Sequence, residues 1–143
     1  MVNIIFCLLL LQQPAHLNID RNKLALDGYD PVSYFADGGP QEGKGQFEAT
    51  VSGVKYRFAS QQNLSTFTAN PGKYTPEYGG WCAYAMGATG DKVKVDPETF
   101  KIVDGKLYLF YNFWGNNTLE DWNDDEPNLM DKANQYWEMI VKS

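Results

Sequence analysis

Cys82 and Met86, in the stretch GGWCAYAM from Gly79 to Met86, are the residues of this chain whose types and spacing point most directly to chemistry. A thiolate and a thioether four residues apart share one face of a helix, and soft sulfur ligands of this kind favour Cu(I). Two ligands are few, so a copper site needs another donor from His16, Met1, Met130 or Met139. The same thiol also reads as a redox group, activated by a helix N-terminus or by a cation such as Lys73 or Lys92. A third reading is packing: Cys82, Ala83 and Ala85 are small, and Gly79 and Gly80 permit close backbone approach. The only other cysteine, Cys7, lies in the apolar N-terminus, so no internal disulfide cycle is expected. A nucleophilic cysteine also needs a base, and His16 is the single histidine. The expectation is therefore a protein that is not an enzyme by default.

Other constellations are weaker. Tyr78, Trp81 and Tyr84 are candidates to line a small-molecule pocket, with core packing as the competing account. Asp27, Asp30, Glu77 and Asp96 supply carboxylates, but spacing pairs none of them as acid and base, and caps or turns account for Asp30 and Asp96. Lys101 and Lys106 flank a hairpin turn and read as surface. The segment LEDWNDDEPNLMD carries six acidic residues. It lacks the alternating aspartates, glycine and closing glutamate of a calcium loop, so it reads as a solvated helix face. The sequons at Asn63 and Asn116 are incidental outside a eukaryotic secretory route.

The formal charge of −6, with twelve basic residues scattered along 143, argues against a nucleic-acid partner. A cation such as a metal ion, or a neutral small molecule, fits that field better, with solubility as the competing account and no protein partner indicated. In MVNIIFCLLLLQQPAH, Val2 to Leu11 is an apolar run of signal-peptide length, too short to span a bilayer. Residues 1–16 are expected to be a signal peptide or apolar N-terminal segment, and residues 17–143 a single domain. The expected location is periplasmic or secreted, with membrane contact only through an uncleaved N-terminal segment.

The elements that must position these residues follow from local pattern. Asp30 with Pro31 predicts a helix start. Alternation at Phe47, Ala49 and Val51, then at Val54, Tyr56 and Phe58, predicts a hairpin turning at Ser52-Gly53. Ser60 caps a helix ending near Asn70, and residues 70–80 read as a loop that delivers Trp81 to Met86 into the interior. Val93 and Val95 suggest a short strand, and Asp96 a capped turn. Asp104-Gly105 is a two-residue hairpin signal. Leu107, Leu109 and Tyr111 are expected on one face of the following strand and Tyr108 with Phe110 on the other, both buried. Asn117 or Thr118 caps a start, Pro127 marks a break, and Leu129, Met130, Ala133, Tyr136, Trp137 and Ile140 form an amphipathic stripe. The predicted class is α+β, a small antiparallel sheet of hairpins with helices packed against it.

The motifs GYDPVSYF, GVKYRFAS, FTANPGKY, YGGWCAYAM and VDGKLYLFYN stand in this order. On them, across Leu24 to Trp137, the chain resembles the exported bacterial branch of the YHS-domain family, in which some relatives look like selenoproteins. The resemblance implies a small α+β domain. In family members beside copper-transporting ATPases it implies soft-metal binding through cysteines, one after Asp-Pro-Val and two flanking the start of the helix after the hairpin. Here those positions hold Ser33, Ala59 and Asn63, so that metal site does not carry over. What remains is an expected YHS-type binding domain, with Cys82 and Met86 as soft-metal ligands. The alternatives are a redox protein using Cys82 and a partner-binding domain whose cysteine is inert.

Overall fold

Two short-range signals, alternation and a left-handed two-residue turn, build the first half of the molecule. The computed structural model describes residues 14–143. Strand β1 (Lys44–Val51) turns at Ser52-Gly53, both at positive φ, and returns as β2 (Val54–Phe58). Val54, Tyr56 and Phe58 are buried while Lys55 and Arg57 stay partly exposed, which is the period of a strand with one covered face. Ser60 then accepts the Asn63 amide at 3.1 Å and starts α1 (Gln61–Ala69). Its Phe67 packs on Tyr56 and Phe58.

The segment expected to be a loop holds a short helix, α2 (Pro71–Tyr74), because proline at the first position of a helix costs no hydrogen bond. A 3-10 turn (Glu77–Gly80) follows, with Tyr78, Gly79 and Gly80 all at positive φ. Gly79 is required twice over, since a Cβ there stands 2.7 Å from the Trp137 ring. This turn leads into α3 (Ala83–Thr89), capped by Cys82. Gly87 lets α3 pack closely against the first turn of the C-terminal helix (Glu126–Lys142), where a Cβ would meet the Leu129 carbonyl at 2.5 Å.

Val93 and Val95 form no strand. The Val93 carbonyl instead accepts the Cys82 amide at 2.9 Å. Strand β3 (Asp96–Val103) begins where a turn was expected; Asp96 still closes one, accepting from the Glu98 amide and the Thr99 hydroxyl, as an irregularity in the strand's register. β3 pairs with β4 (Lys106–Phe110) through Asp104-Gly105, both left-handed. A small hairpin, β5 (Asn112–Phe113) and β6 (Asn116–Asn117), turns at Trp114-Gly115 and leaves the indole exposed. Asn117 caps α4 (Thr118–Asp124), accepting the Leu119 amide. Helix α5 (Glu126–Lys142) carries Pro127 in its first turn and buries Leu129, Ala133 and Trp137. Tyr136 departs from the expected stripe and stays partly exposed.

The class is α+β, as expected, but the hairpins form three separate two-stranded antiparallel sheets in place of one. β4 is the wall between two cores. Leu107 and Leu109 face the cluster built by the first hairpin, α1 and residues 17–26, with Tyr111 partly buried against it. Tyr108 and Phe110 face the cluster built by α3, α4 and α5. Among the described residues no helix is long and apolar enough to cross a membrane. The expected signal segment, with Cys7, lies almost wholly outside the described residues. Its last residues form a 3-10 turn (Pro14–His16), whose His16 carbonyl accepts the Trp81 indole N–H at 2.7 Å.

Candidate functional site

Cys82 enters α3 directly after the left-handed turn, so its side chain is carried into the seam between α3 and β4. The thiol has no exposed surface. Sγ accepts the Tyr111 amide at 3.3 Å and the Ala85 amide at 3.5 Å. The Thr118 hydroxyl donates to the Tyr111 carbonyl at 2.7 Å, which leaves its oxygen to accept the thiol proton at 3.5 Å. Every polar capacity of the thiol is thus engaged inside the protein. Met86 is also fully buried, yet it faces the α3–α4–α5 cluster while Cys82 faces the other one. Helical spacing put the two sulfurs on one side of the sequence, and β4 comes between their surroundings.

Of the remaining donors, Met1 lies outside the described residues, and the others do not gather at Cys82. His16 Nδ1 lies 3.3 Å from Lys92 Nζ, Met130 accepts a long hydrogen bond from the Tyr108 hydroxyl, and Met139 is exposed. Lys73 lies over the Tyr74 ring. Neither Lys73 nor Lys92 is a hydrogen-bond partner of the thiol. Among the described residues no group of three or more His, Cys, Asp or Glu side chains stands in metal-binding proximity. The six acidic residues of the α4–α5 region include Glu126, which pairs with Lys101 at 2.8 Å and takes the Trp122 indole N–H. These contacts hold the Glu126 carboxyl below its ordinary range, the Lys101 ammonium foremost.

A second node surrounds Asp30, and sequence reasoning saw only half of it. Its Oδ1 accepts the Val32 amide at 2.8 Å and the Ser33 amide at 3.3 Å, the expected turn. The short helix that follows is a 3-10 turn (Ser33–Phe35). Its Oδ2 reaches across to the Ala59 amide at 2.8 Å and the Asn63 side-chain amide at 2.7 Å. The carboxylate is fully buried and meets four donors. The positions at which the YHS pattern places cysteines, here Ser33, Ala59 and Asn63, therefore converge on Asp30. What this chain holds there is a hydrogen-bonded carboxylate clamp joining the Asp-Pro-Val turn to the start of α1.

The aromatic candidates are dispersed. Tyr78 is buried and donates to Asn134 Oδ1 at 2.8 Å. Its phenol is pushed far above its ordinary value by burial. Trp81 is tied to His16, and Tyr84 is half-buried between the two clusters. None of the three lines the main cavity. That cavity, of about 350 Å³, lies between residues 17–27, the tip of the β1–β2 hairpin, the start of α2 and the Gly79-Gly80 turn. Its apolar lining comes chiefly from Leu24, Leu26, Val54, Tyr56, Val95 and Leu109, and Asp20 and Asp27 stand exposed among its lining residues. Only turn and strand signals touched it in the sequence; six separated segments had to meet before it existed.

Comparison with protein-family models, with curated proteins and with solved structures finds no match for this chain.

Proposed function

We propose that this chain is an exported, non-enzymatic YHS-type binding module that takes a small molecule in the cleft beneath residues 17–27, with Cys82 serving as an internal hydrogen-bonding post. The observation that carries the reading is the cleft itself. Its volume of about 350 Å³ falls at the lower end of the usual range for ligand pockets, and its lining is apolar with polar groups at the edge. The soft-metal reading has less support, because Cys82 and Met86 face different clusters and the thiol is saturated by Tyr111, Ala85 and Thr118. The redox reading meets the same burial, since a reactive thiol needs access.

The test uses the neutral fluorophore N-phenyl-1-naphthylamine, whose emission rises in apolar surroundings. Gly72 lines the cleft, is exposed, and has nothing within 4 Å of a Cβ built on it. Gly72→Phe therefore obstructs the cleft with little cost to the fold. Saturable binding by the wild-type chain, weakened at least tenfold in a folded Gly72→Phe variant, is expected. Absence of saturable binding, or equal binding by both proteins, overturns the assignment.

A further inference from the structure

Tyr56 contributes the one aromatic ring of the cleft lining. It stands at the middle of β2, paired with Ala49, and its ring lies 4.6 Å from that of Phe67, so packing fixes where the phenol sits. The side chain is more than nine-tenths buried, at 7% exposure, yet its hydroxyl has no hydrogen-bond partner among the described residues. Among the other buried tyrosines, Tyr34 donates to the Pro97 carbonyl, Tyr78 to Asn134 and Tyr108 to the Met130 sulfur, while Tyr74, which shares the open hydroxyl, does not line the cleft. Among the described residues no side-chain oxygen or nitrogen wholly closed to solvent lacks a partner, so the Tyr56 hydroxyl keeps contact with solvent, in a residue that lines the cleft. A phenol that is open at its oxygen and packed in apolar surroundings along its ring presents a donor that a ligand in the cleft can use. Burial also pushes this phenol up to about 12, so it stays protonated and acts as a donor throughout the neutral range.

The rest of the cleft limits what the acceptor can belong to. Asn18 is occupied, its amide donating to the Gly80 carbonyl at 3.0 Å. Asp20 is occupied in part, Oδ1 accepting the Asn22 and Leu24 amides. The exposed carboxylates of Asp20 and Asp27 among the lining residues disfavour an anion, and a cation drawn against the apolar lining of Leu24, Leu26, Val54, Val95 and Leu109 loses its hydration.

Resting on the cleft assignment above, we infer that the ligand is a small, neutral, predominantly apolar molecule bearing one carbonyl or ether-type oxygen, which accepts a hydrogen bond from the Tyr56 hydroxyl.

The experiment compares acetophenone with α-methylstyrene, which has the same shape but carries CH2 in place of the carbonyl oxygen. Both are titrated into wild-type and Tyr56→Phe chains, following cleft backbone amides such as those of Val54 and Leu109 by NMR. Tyr56→Phe removes only the oxygen and keeps the ring on Phe67. The expected result is that α-methylstyrene binds both chains alike, while Tyr56→Phe lowers the acetophenone preference by roughly threefold to tenfold, the range of one neutral hydrogen bond. If both compounds bind and their ratio is the same in the two chains, the Tyr56 inference falls and the cleft assignment stands. If neither compound binds either chain, both fall together.

Discussion

Asp30 and Cys82 hold matching stations in the chain and solve them with different chemistry. Each closes a local turn with its side chain, Asp30 on the amides of Val32 and Ser33 and Cys82 on that of Ala85. Each also reaches a distant segment, Asp30 to Ala59 and Asn63, Cys82 to Tyr111 and Thr118. The carboxylate bonds lie mostly between 2.7 and 2.8 Å, with one at 3.3 Å, whereas those of the thiol run from 3.3 to 3.5 Å. Charged acceptors make the stronger bonds, so the clamp at Asp30 is the stiffer of the two joints. A cysteine draws attention by its rarity, but here the aspartate carries more of the structure.

Substituting the two residues tests that ranking directly. Asp30→Asn places an NH2 group where Oδ1 or Oδ2 now faces donors, and is expected to lower unfolding free energy by about 3 kcal/mol, read by urea denaturation. A loss below that of the thiol variant reverses the comparison. Cys82→Ala leaves the Tyr111 amide without its side-chain acceptor and opens a small void, with an expected loss of about 1.5 kcal/mol on the same assay. Asn63→Ala removes one donor of four while Ala59 keeps its bond to Oδ2, and about 1 kcal/mol should go. A loss as large as that of Asp30→Asn means the clamp works through Asn63 alone.

Glu77 sharpens the contrast from the other side, as a half-buried carboxylate with no hydrogen-bond partner among the described residues. Burial raises its pKa above the ordinary carboxylate value, and the nearby Lys106 ammonium offsets part of that rise. A folded-state pKa above the unfolded one gives a contribution fully present below the unfolded pKa and lost as pH rises through the folded one. Glu77→Gln should therefore stabilise the chain by about 0.5 kcal/mol at neutral pH, the scale of a peripheral substitution. The gain should vanish in acid, below the ordinary glutamate range, and a variant less stable than wild type at neutral pH contradicts this account.

The Ser52-Gly53 and Asp104-Gly105 turns, the Ser60 cap, a helix start at Asn117 or Thr118 and the two-faced burial of β4 were legible because each is decided within a few residues, whereas the Trp114-Gly115 hairpin was not. Asp30 was legible only as a turn residue. Its other oxygen is met by partners 29 and 33 positions away, which no local pattern announces. Val93 and Val95 have strand composition, but the Val93 carbonyl serves the Cys82 amide and the segment pairs with nothing in register. Pro71 read as a breaker and is a first-turn residue instead. At the candidate site, the spacing of Cys82 and Met86 was legible and their separation was not, since it depends on β4 lying between two cores. The cleft and Tyr56 were beyond reach for the same reason: alternation marks Tyr56 as inward-facing, but not that a cavity lies beside it.

The closed surroundings of Cys82 also make it a stopwatch. In a Cys7→Ser chain it is the sole thiol, and a maleimide added to the native protein can reach it only during moments when α3 parts from β4. The speed of labelling then counts those openings, without a denaturant and without an inserted dye.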